Sequence, residues 1–321
     1  PMAGFADGTV IAEASGGYTI TESDIAQLHL TGDYAADKEL YLDGNSVKIR
    51  TRQVTAYNVW VGGTQVTEEN ASDVLGDKTV SYDANTNTLT LNGLNLSDQG
   101  HEVTIQDSTV FASIFSQDDL NIVLAKGSTN TISTTGSIGN AQVLGAAAMA
   151  ADGSAGMVSV SGSGSLSVTQ TLSSATTYSV GIFGVEVSVS DADLAFSVSG
   201  NGYTMGIGAD TLNIQNADIT CSGTAFGLTG TSSLSVSGDS HIKATGSMGA
   251  LYCADGTISV DTGLTILGST QENDFENLSV AQVSSDGKNI VVGTDTAKTV
   301  EITGIPAVTY LDENGAEQTL T

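Results

Sequence analysis

The sequence predicts an all-β fold, a right-handed parallel β-helix with three short strands in each coil. The same turn recurs after 23, 23 and 22 residues, with its glycine at Gly200, Gly223, Gly246 and Gly268. Ahead of each turn, apolar residues stand two apart in three successive segments, and this spacing is typical of strands. Proline occurs only twice, as expected where stacked strands need their backbone N–H groups. A β-sandwich would also supply many short strands, but the fixed period favours a coil.

Two modules are expected ahead of the coils. Residues 1–56 alternate extended segments with Gly-Asp and Asp-Gly-Asn turns, which predicts a β-rich N-terminal cap. A solenoid needs such a cap because its open end exposes its core and a row of unpaired strand groups. Residues 57–86 are expected to hold strands and one short helix, which would begin after Thr67 as N-cap and stop at Gly76.

The parallel β-helix itself is expected over residues 87–275, in about seven coils. One apolar pair marks the first strand of each coil, namely Leu89/Leu91, Leu120/Ile122, Val158/Val160, Val187/Val189, Leu212/Ile214, Leu234/Val236 and Ile258/Val260. Stacked copies build interior ladders, two of which are Ile182, Ile207, Leu228, Leu251 and Leu194, Ile219, Ile242, Leu264. Residues 137–157 break the period with an Ala/Gly-rich stretch, which is expected to be a loop leaving the helix face.

After the coils, residues 276–321 lose the period and are expected to form a C-terminal β segment. Hairpin turns are predicted at Ser285-Asp286-Gly287 and Asn314-Gly315. We expect the chain to stop there at a module boundary of a longer protein. Cys221 and Cys253 fall in different strands of different coils, so two buried free thiols are expected instead of a disulfide.

Charge and hydropathy argue against several classes of partner. The formal net charge is −27, from 9 Lys and Arg against 36 Asp and Glu, so long-range repulsion opposes binding to nucleic acid or anionic lipid. No apolar run approaches the roughly 18 residues that span a membrane, so no membrane-spanning segment is expected. The start of the chain lacks the regions of a signal peptide, so we expect that such a peptide was removed or never present. The acidity suits solubility outside the cell; a Ca²⁺ site is compatible with it, but charge alone does not indicate one.

One stretch of the sequence resembles a known kind of protein. The run from Trp60-Val61-Gly62-Gly63 through Asp73-Val74-Leu75-Gly76 to Thr86-Asn87-Thr88-Leu89 resembles the lead-in module of secreted bacterial β-helix proteins. These proteins are common among gut anaerobes and are labelled carbohydrate-binding domain-containing. The resemblance covers residues 57–321 and implies a β-helix fold, a secreted or cell-surface location in bacteria and contact with carbohydrate. It supplies no catalytic motif.

The predicted coils lack the groups that cleavage of a polysaccharide needs. A lyase acting on uronates needs a strong base and cations, yet both arginines precede the coils and only Lys126 and Lys243 lie within them. Isolated histidines are more often structural or merely exposed than catalytic. The three histidines stand apart in the sequence, at His29, His101 and His241. No catalytic residue, metal ion or cofactor is therefore expected.

Asp193, Asp218 and His241 form the strongest polar constellation. Each directly precedes the second-strand apolar residue of its coil, so the three are expected to stack on one outer edge, about 5 Å apart. Two carboxylates at that distance can bind a cation or act as an acid and nucleophile pair. Asp before a strand is also ordinary turn chemistry, and this structural interpretation is the one we favour.

Tyrosines supply the candidate sugar-binding platform, since sugar sites usually combine an aromatic wall with polar groups. Tyr178 and Tyr203 hold equivalent positions four residues before apolar residues of their third strands, and Tyr252 shares the outward parity of Phe183. These three tyrosines are the candidate ligand-binding residues, together with Asp193, Asp218 and His241. Trp60, the only tryptophan, is expected to pack instead.

The predicted function is a non-enzymatic extracellular or cell-surface binding or adhesion module that contacts a glycan or a host surface. Two alternatives stay open. One is a polysaccharide-active enzyme, of the glycoside hydrolase or lyase type, that uses the stacked aspartates. The other is a structural stalk that displays another domain. An exposed aromatic cluster in a shallow groove would favour the binding module, and a deep cleft with paired carboxylates would favour the enzyme.

Overall fold

The structure is a computed structural model, and it places the chain in two compact units, Pro1–Thr55 and Ala56–Thr321. It describes residues 5–28, 30, 38–97, 99–105, 107–136, 141–173, 178–253, 257–269, 276–278, 291–292, 295–296, 299–304, 308–311 and 317–320. Strands dominate both units, so the fold is all-β, as the sequence predicts. In the part of the chain that is described, no helix combines the length and the apolarity that a membrane crossing requires.

The first unit is a three-stranded antiparallel sheet with one short helix. Its elements, numbered in chain order, are β1 (Val10–Glu13), α1 (Glu22–Ile25), β2 (Lys38–Asp43) and β3 (Ser46–Thr51). The sheet order is β1-β3-β2, and alternate residues of β3, Val47 and Ile49, are buried. The Asp7 carboxylate accepts hydrogen bonds from Lys38 Nζ at 2.7 Å and from the Thr51 N–H at 2.8 Å. These contacts tie the start of the described chain to the edges of the β2–β3 hairpin.

The second unit contains all remaining strands. Its first thirteen are β4 (Ala56–Val61), β5 (Thr64–Thr67), β6 (Val80–Asp83), β7 (Thr88–Leu91), β8 (Asn95–Leu96), β9 (His101–Ile105), β10 (Ser108–Ser116), β11 (Leu120–Leu124), β12 (Thr129–Gly136), β13 (Ala141–Ala148), β14 (Met157–Ser161), β15 (Ser165–Leu172) and β16 (Tyr178–Ser190). The others are β17 (Asp193–Gly200), β18 (Tyr203–Gln215), β19 (Asp218–Gly223), β20 (Phe226–Ser237), β21 (His241–Gly246), β22 (Gly249–Tyr252), β23 (Thr257–Val260), β24 (Leu264–Ser269), β25 (Glu276–Leu278), β26 (Val291–Val292), β27 (Asp295–Thr296), β28 (Thr299–Gly304), β29 (Val308–Leu311) and β30 (Glu317–Leu320).

Two large sheets carry this unit. The 14-stranded sheet has the order β5-β4-β10-β13-β16-β14-β11-β7-β6, with β18, β20, β22 and β23 added beyond β16 and with β9 paired to β10. The nine-stranded sheet has the order β25-β24-β28-β21-β19-β17-β15-β12-β8. Separate two-stranded pairs are formed by β26 with β27 and by β29 with β30. The predicted hairpin turns at 285–287 and 314–315 lie outside the described residues.

Parallel pairing joins the strands in the middle of both sheets. In the larger sheet β10, β13, β16, β18 and β20 pair in parallel in that order, and in the smaller sheet β8, β12, β15, β17, β19 and β21 do the same. The expected row of Ile182, Ile207, Leu228 and Leu251 is observed across adjacent strands. Apolar rows from both sheets join one buried cluster, which forms the core.

The predicted row of Leu194, Ile219, Ile242 and Leu264 is observed only for its first three residues. Leu194, Ile219 and Ile242 are in register, but Leu264 does not follow them. Strand β28 lies between β21 and β24, antiparallel to both, and places Ile302 beside Ile242. Part of the segment 276–321, which was expected to stand apart from the coils, therefore belongs to the nine-stranded sheet. The apolar alternation within β28 fits this buried position.

The long strands β16, β18 and β20 each combine two segments that the sequence predicts as separate strands. Strand β16 runs unbroken through both Val180 and Val187. A column of glycines lies in these strands and in β13, at Gly145, Gly181, Gly206 and Gly227. A methyl group built on Gly181 would come within 2.4 Å of the Gly206 carbonyl oxygen and 2.5 Å of Phe196 Cδ1. The φ of Gly181 lies outside the left-handed region, so the residue must be glycine here for reasons of space.

Two local predictions were wrong. Residues 68–75 form turns and no helix, because their backbone groups bond outside the segment: the Val74 N–H donates to the Val80 carbonyl at 2.8 Å, and the Tyr82 N–H donates to the Ala71 carbonyl at 2.6 Å. The Ala/Gly-rich stretch of 137–157, expected to leave the fold as a loop, contains strand β13, which is paired on both sides and buried. The alanines of this strand are buried, yet they carry little apolar signal in the sequence.

Candidate ligand-binding site

Five aromatic side chains form a continuous row on strands β16, β18, β20 and β22. We call Tyr178, Phe183, Tyr203, Phe226 and Tyr252 the aromatic row. The Tyr178 and Tyr203 rings are stacked, with centroids 6.2 Å apart and an interplanar angle of 6°, because these residues are register partners. Phe226 links Tyr203, at 5.8 Å, to Tyr252, at 4.6 Å. The three tyrosines that the sequence singles out are therefore brought together, through a phenylalanine that it did not assign to the site.

The tyrosines of the row differ in how far they reach the surface. Tyr203 is 38% exposed, Tyr178 and Tyr252 are partly buried, and Phe226 is buried. Burial, followed by the nearby Tyr203 and Asp210, raises the pKa of Tyr178 to about 12. Burial and then Tyr252 also raise the pKa of Tyr203. Both hydroxyls therefore stay protonated at neutral pH and can donate hydrogen bonds to a ligand.

A cavity of about 220 Å³ opens beside the row where one side chain is missing. Phe183, Gly208, Thr229 and Tyr252 are in register on four adjacent strands, so glycine leaves a gap between a phenyl ring and a threonine. The Tyr178 hydroxyl lies 3.5 Å from the position that a Cβ atom of residue 208 would take. Sequence reasoning missed Gly208, although aligning these four positions by their period would have exposed the gap.

The polar rim of this cavity comes from Asp210 and Thr231. The Thr231 hydroxyl donates a hydrogen bond to Asp210 Oδ1 at 2.7 Å, which fixes the orientation of an exposed carboxylate. Thr229 is turned toward the floor, where its hydroxyl lies 3.0 Å from Met205 Sδ. The cavity thus combines aromatic walls, an apolar floor and one oriented charge at its mouth, which is the usual composition of a small-molecule site.

Asp193, Asp218 and His241 do lie side by side, as predicted. Asp193 pairs with Asp218 and Asp218 with His241 across three adjacent strands of the nine-stranded sheet. All three side chains are exposed, and they border two shallow depressions of about 300 and 280 Å³. Lys243 adds a positive charge there and forms an ion pair with Glu301 at 2.9 Å. Among the described residues, no group of three His, Cys, Asp or Glu side chains is arranged to hold a metal ion.

The depression around the two aspartates is therefore open, wet and of mixed charge. Polysaccharide hydrolysis by paired carboxylates uses a site in which one acid is shielded from water so that it stays protonated. Neither aspartate is enclosed in that way. The arrangement can hydrogen-bond a passing polar ligand, and both carboxylates are open to solvent.

His101 lines none of the cavities described above. His101 stacks on Trp60, with ring centroids 4.4 Å apart and an interplanar angle of 11°, and both rings contact Phe115. Trp60 thus packs within the strands, as expected from its alternating context. Burial lowers the pKa of His101. His29 lies outside the described residues.

Both cysteines are buried as free thiols, and neither lines the cavities described above. Burial raises the pKa of Cys221, so its thiol is not poised as a nucleophile.

Comparison with known proteins returned no match to a protein-family model, to a curated protein or to a solved structure. The function of this chain therefore has to be inferred from its own residues.

Proposed function

We propose that this chain is a non-enzymatic binding or adhesion module, secreted or at the surface of a bacterium, that contacts carbohydrate through the aromatic row and the cavity at Gly208. The observation that carries the proposal is the row of five rings beside a cavity with a polar rim. A pyranose ring has an apolar C–H face that packs on aromatic carbon, and its hydroxyls need donors and acceptors at the edge. Tyr203 offers the exposed face, and Tyr178, Asp210 and Thr231 offer the polar edge.

We further propose that the strands of residues 87–275 wind as a right-handed parallel β-helix. The parallel pairing of strands that are about one sequence period apart supports this architecture. So does the resemblance of residues 57–321 to secreted bacterial β-helix proteins. Such a rod would present the aromatic row on one side, with polar serine and asparagine rows elsewhere, and further modules of a longer chain would extend it.

The charges of the site favour binding over cleavage. Bond cleavage needs groups that move a proton or stabilise a developing charge within a shielded site. Asp193 and Asp218 are open to solvent, and the cavity at Gly208 is lined by a single carboxylate among its described residues. A structural stalk that binds no ligand does not require the partly exposed Tyr203 or the unfilled cavity at Gly208. These features support a ligand site with no chemistry of its own.

The test is a glycan array followed by titration calorimetry on the best ligands with two site variants. Tyr203→Ala removes the exposed ring and is expected to weaken binding roughly two- to twelvefold, since an aromatic contact contributes about 0.5–1.5 kcal/mol beyond area burial. Gly208→Val fills the cavity and should also weaken binding. Tyr18→Ala, which removes an exposed tyrosine of the first unit, is the matched control and should leave affinity unchanged. Melting curves establish that each variant is folded.

Two results would contradict the proposal. One is glycan binding that survives both site variants, which would move the ligand elsewhere. The other is turnover of a polysaccharide that is lost in Asp193→Ala or Asp218→Ala, which would promote the enzyme alternative.

A further inference from the structure

The cavity at Gly208 carries a one-sided electrostatic environment. Asp210 is the one charged residue among the described residues that line it, and none of those residues is cationic. Tyr178 and Phe183 line the cavity with aromatic rings, whose faces attract cations and whose charge is zero. The full chain adds a net charge of −27. The carboxylate of Asp210, the aromatic rings and the net charge of the chain therefore all favour a positively charged group over a neutral or anionic one.

The depression at Asp193 and Asp218 differs in this respect. Its lining includes Lys243 and His241 beside the two carboxylates, so charges of both signs are present. It also lacks an aromatic wall. A cation entering there would meet water and a competing ammonium group, whereas a cation in the cavity at Gly208 would meet rings and one carboxylate whose Oδ1 is held by Thr231 at 2.7 Å.

We propose that the cavity at Gly208 selects a sugar unit that carries a free amine, such as glucosamine, over the N-acetylated or the neutral sugar. This inference rests on the proposed carbohydrate-binding function and adds the substrate class. The ammonium group would sit between the carboxylate of Asp210 and the ring of Tyr178, and the sugar ring would extend toward Tyr203. An ammonium group over an aromatic face and beside a carboxylate gains from both contacts.

The expected preference is modest because the site is partly open to water. A cation over an exposed ring and an exposed ion pair each change affinity by a few-fold, so together they favour the amine by roughly tenfold. The preference should shrink as salt is added, since screening weakens exposed charge pairs. It should also disappear when the pH rises through the pKa of the amine, because the ligand then becomes neutral.

The test compares short β-linked oligosaccharides of glucosamine, N-acetylglucosamine and glucose, which share a ring and differ only at C2. Titration calorimetry at low salt, below the pKa of the amine, is expected to rank glucosamine first by roughly tenfold. Asp210→Asn should abolish the ranking, because glucosamine then loses its charged partner and binds no more tightly than the neutral sugars do to the same variant. Asp239→Asn is the matched control: it removes one exposed aspartate that borders the other depression, so it changes the net charge by the same amount and should keep the ranking.

The comparison of the two Asp→Asn variants separates a specific site from general attraction of a cationic sugar to an acidic protein. Equal affinities for the three sugars, abolished by Gly208→Val, would overturn the amine preference while leaving the carbohydrate function intact. A preference that Asp210→Asn and Asp239→Asn reduce to the same extent would also overturn it. If none of the three sugars binds and the glycan array is blank, the proposed function fails and this inference fails with it.

Discussion

Replacing Gly181 by alanine should lower the free energy of unfolding of the protein, although alanine is normally more stabilising than glycine in a strand. The new methyl group would lie 2.4 Å from the Gly206 carbonyl oxygen, which is 0.6 Å inside the 3.0 Å limit that contacts of Cβ atoms essentially never cross. It would also lie 2.5 Å from the Phe196 ring. The carbonyl belongs to the adjacent strand, so relief requires β16 and β18 to separate and the ring of Phe196 to leave its place.

The cost follows from what has to move. Displacing a packed ring costs about 1–3 kcal/mol, and loosening two ladder hydrogen bonds costs about 1 kcal/mol each. We therefore expect a loss of about 3 kcal/mol or more, which corresponds to a fall in Tm of roughly 6–12 °C. Thermal unfolding followed by far-ultraviolet circular dichroism measures this directly, and urea unfolding gives the free energy.

Gly208→Ala is the matched control on the neighbouring strand. Its methyl group would meet Met205 Cε at 3.0 Å and Val180 Cγ1 at 3.3 Å, and the end of a methionine side chain can yield. We expect its stability to stay within about 1 kcal/mol of the parent protein. If Gly181→Ala has the same Tm as Gly208→Ala and the parent protein, the space at Gly181 does not require glycine, and the reasoning is wrong.

Two further predictions concern a turn and a histidine. Asn216 has a φ of 49°, donates from Nδ2 to Asp191 Oδ1 at 3.2 Å and accepts from the Asp239 N–H at 3.0 Å; Asn216→Ala should therefore cost about 2 kcal/mol in urea unfolding, and Asn216→Gly less because glycine tolerates the positive φ. Equal losses for both variants would show that the backbone conformation does not matter there. Burial lowers the pKa of His101 in the folded state, so the unfolded chain binds a proton more readily. The contribution of the neutral ring to stability is therefore fully present above about pH 6.5 and is lost as the pH falls from there through the lowered pKa of the folded state. His101→Phe keeps a ring stacked on Trp60, and its Tm should differ less between about pH 8 and about pH 5 than the Tm of the parent protein does. If the two differences are equal, His101 does not contribute to the pH dependence of stability.

Much of the strand register could be read from the sequence because it depends on local period. Apolar residues two apart must share a face, and copies that recur at constant spacing bring equivalent residues side by side. Leu212, Leu234 and Ile258 stand in register and are buried for that reason. The same logic predicts Tyr178 beside Tyr203 and Asp193 beside Asp218, and both pairs are in register.

The sequence predicts the aromatic residues of the candidate site but not its cavity. Aromatic residues can be recognised in a sequence as candidate ligand contacts, so the sequence predicts the tyrosines of the site. A cavity is made by a side chain that is absent, and Gly208 looks like any other glycine until its neighbours Phe183 and Thr229 are placed on either side of it. Asp210 likewise acquires a role only because its carboxylate stands at the mouth of that gap.

What the sequence by itself determined about this protein is which residues alternate and which positions repeat: the all-β class and the register of the middle strands. Tertiary structure decided the rest, wherever an element depends on a distant partner. Strand β28 entered the nine-stranded sheet because β21 and β24 both offer it backbone groups, which no period in residues 276–321 could reveal. Residues 68–75 have the caps of a helix, yet the Val74 N–H donates to the Val80 carbonyl and the Ala71 carbonyl accepts from Tyr82, so tertiary contacts replace helical hydrogen bonds there. Alanine-rich β13 became a buried strand because it is paired on both sides, and hydrogen bonds to neighbouring strands outweigh the weak local preference of its residues.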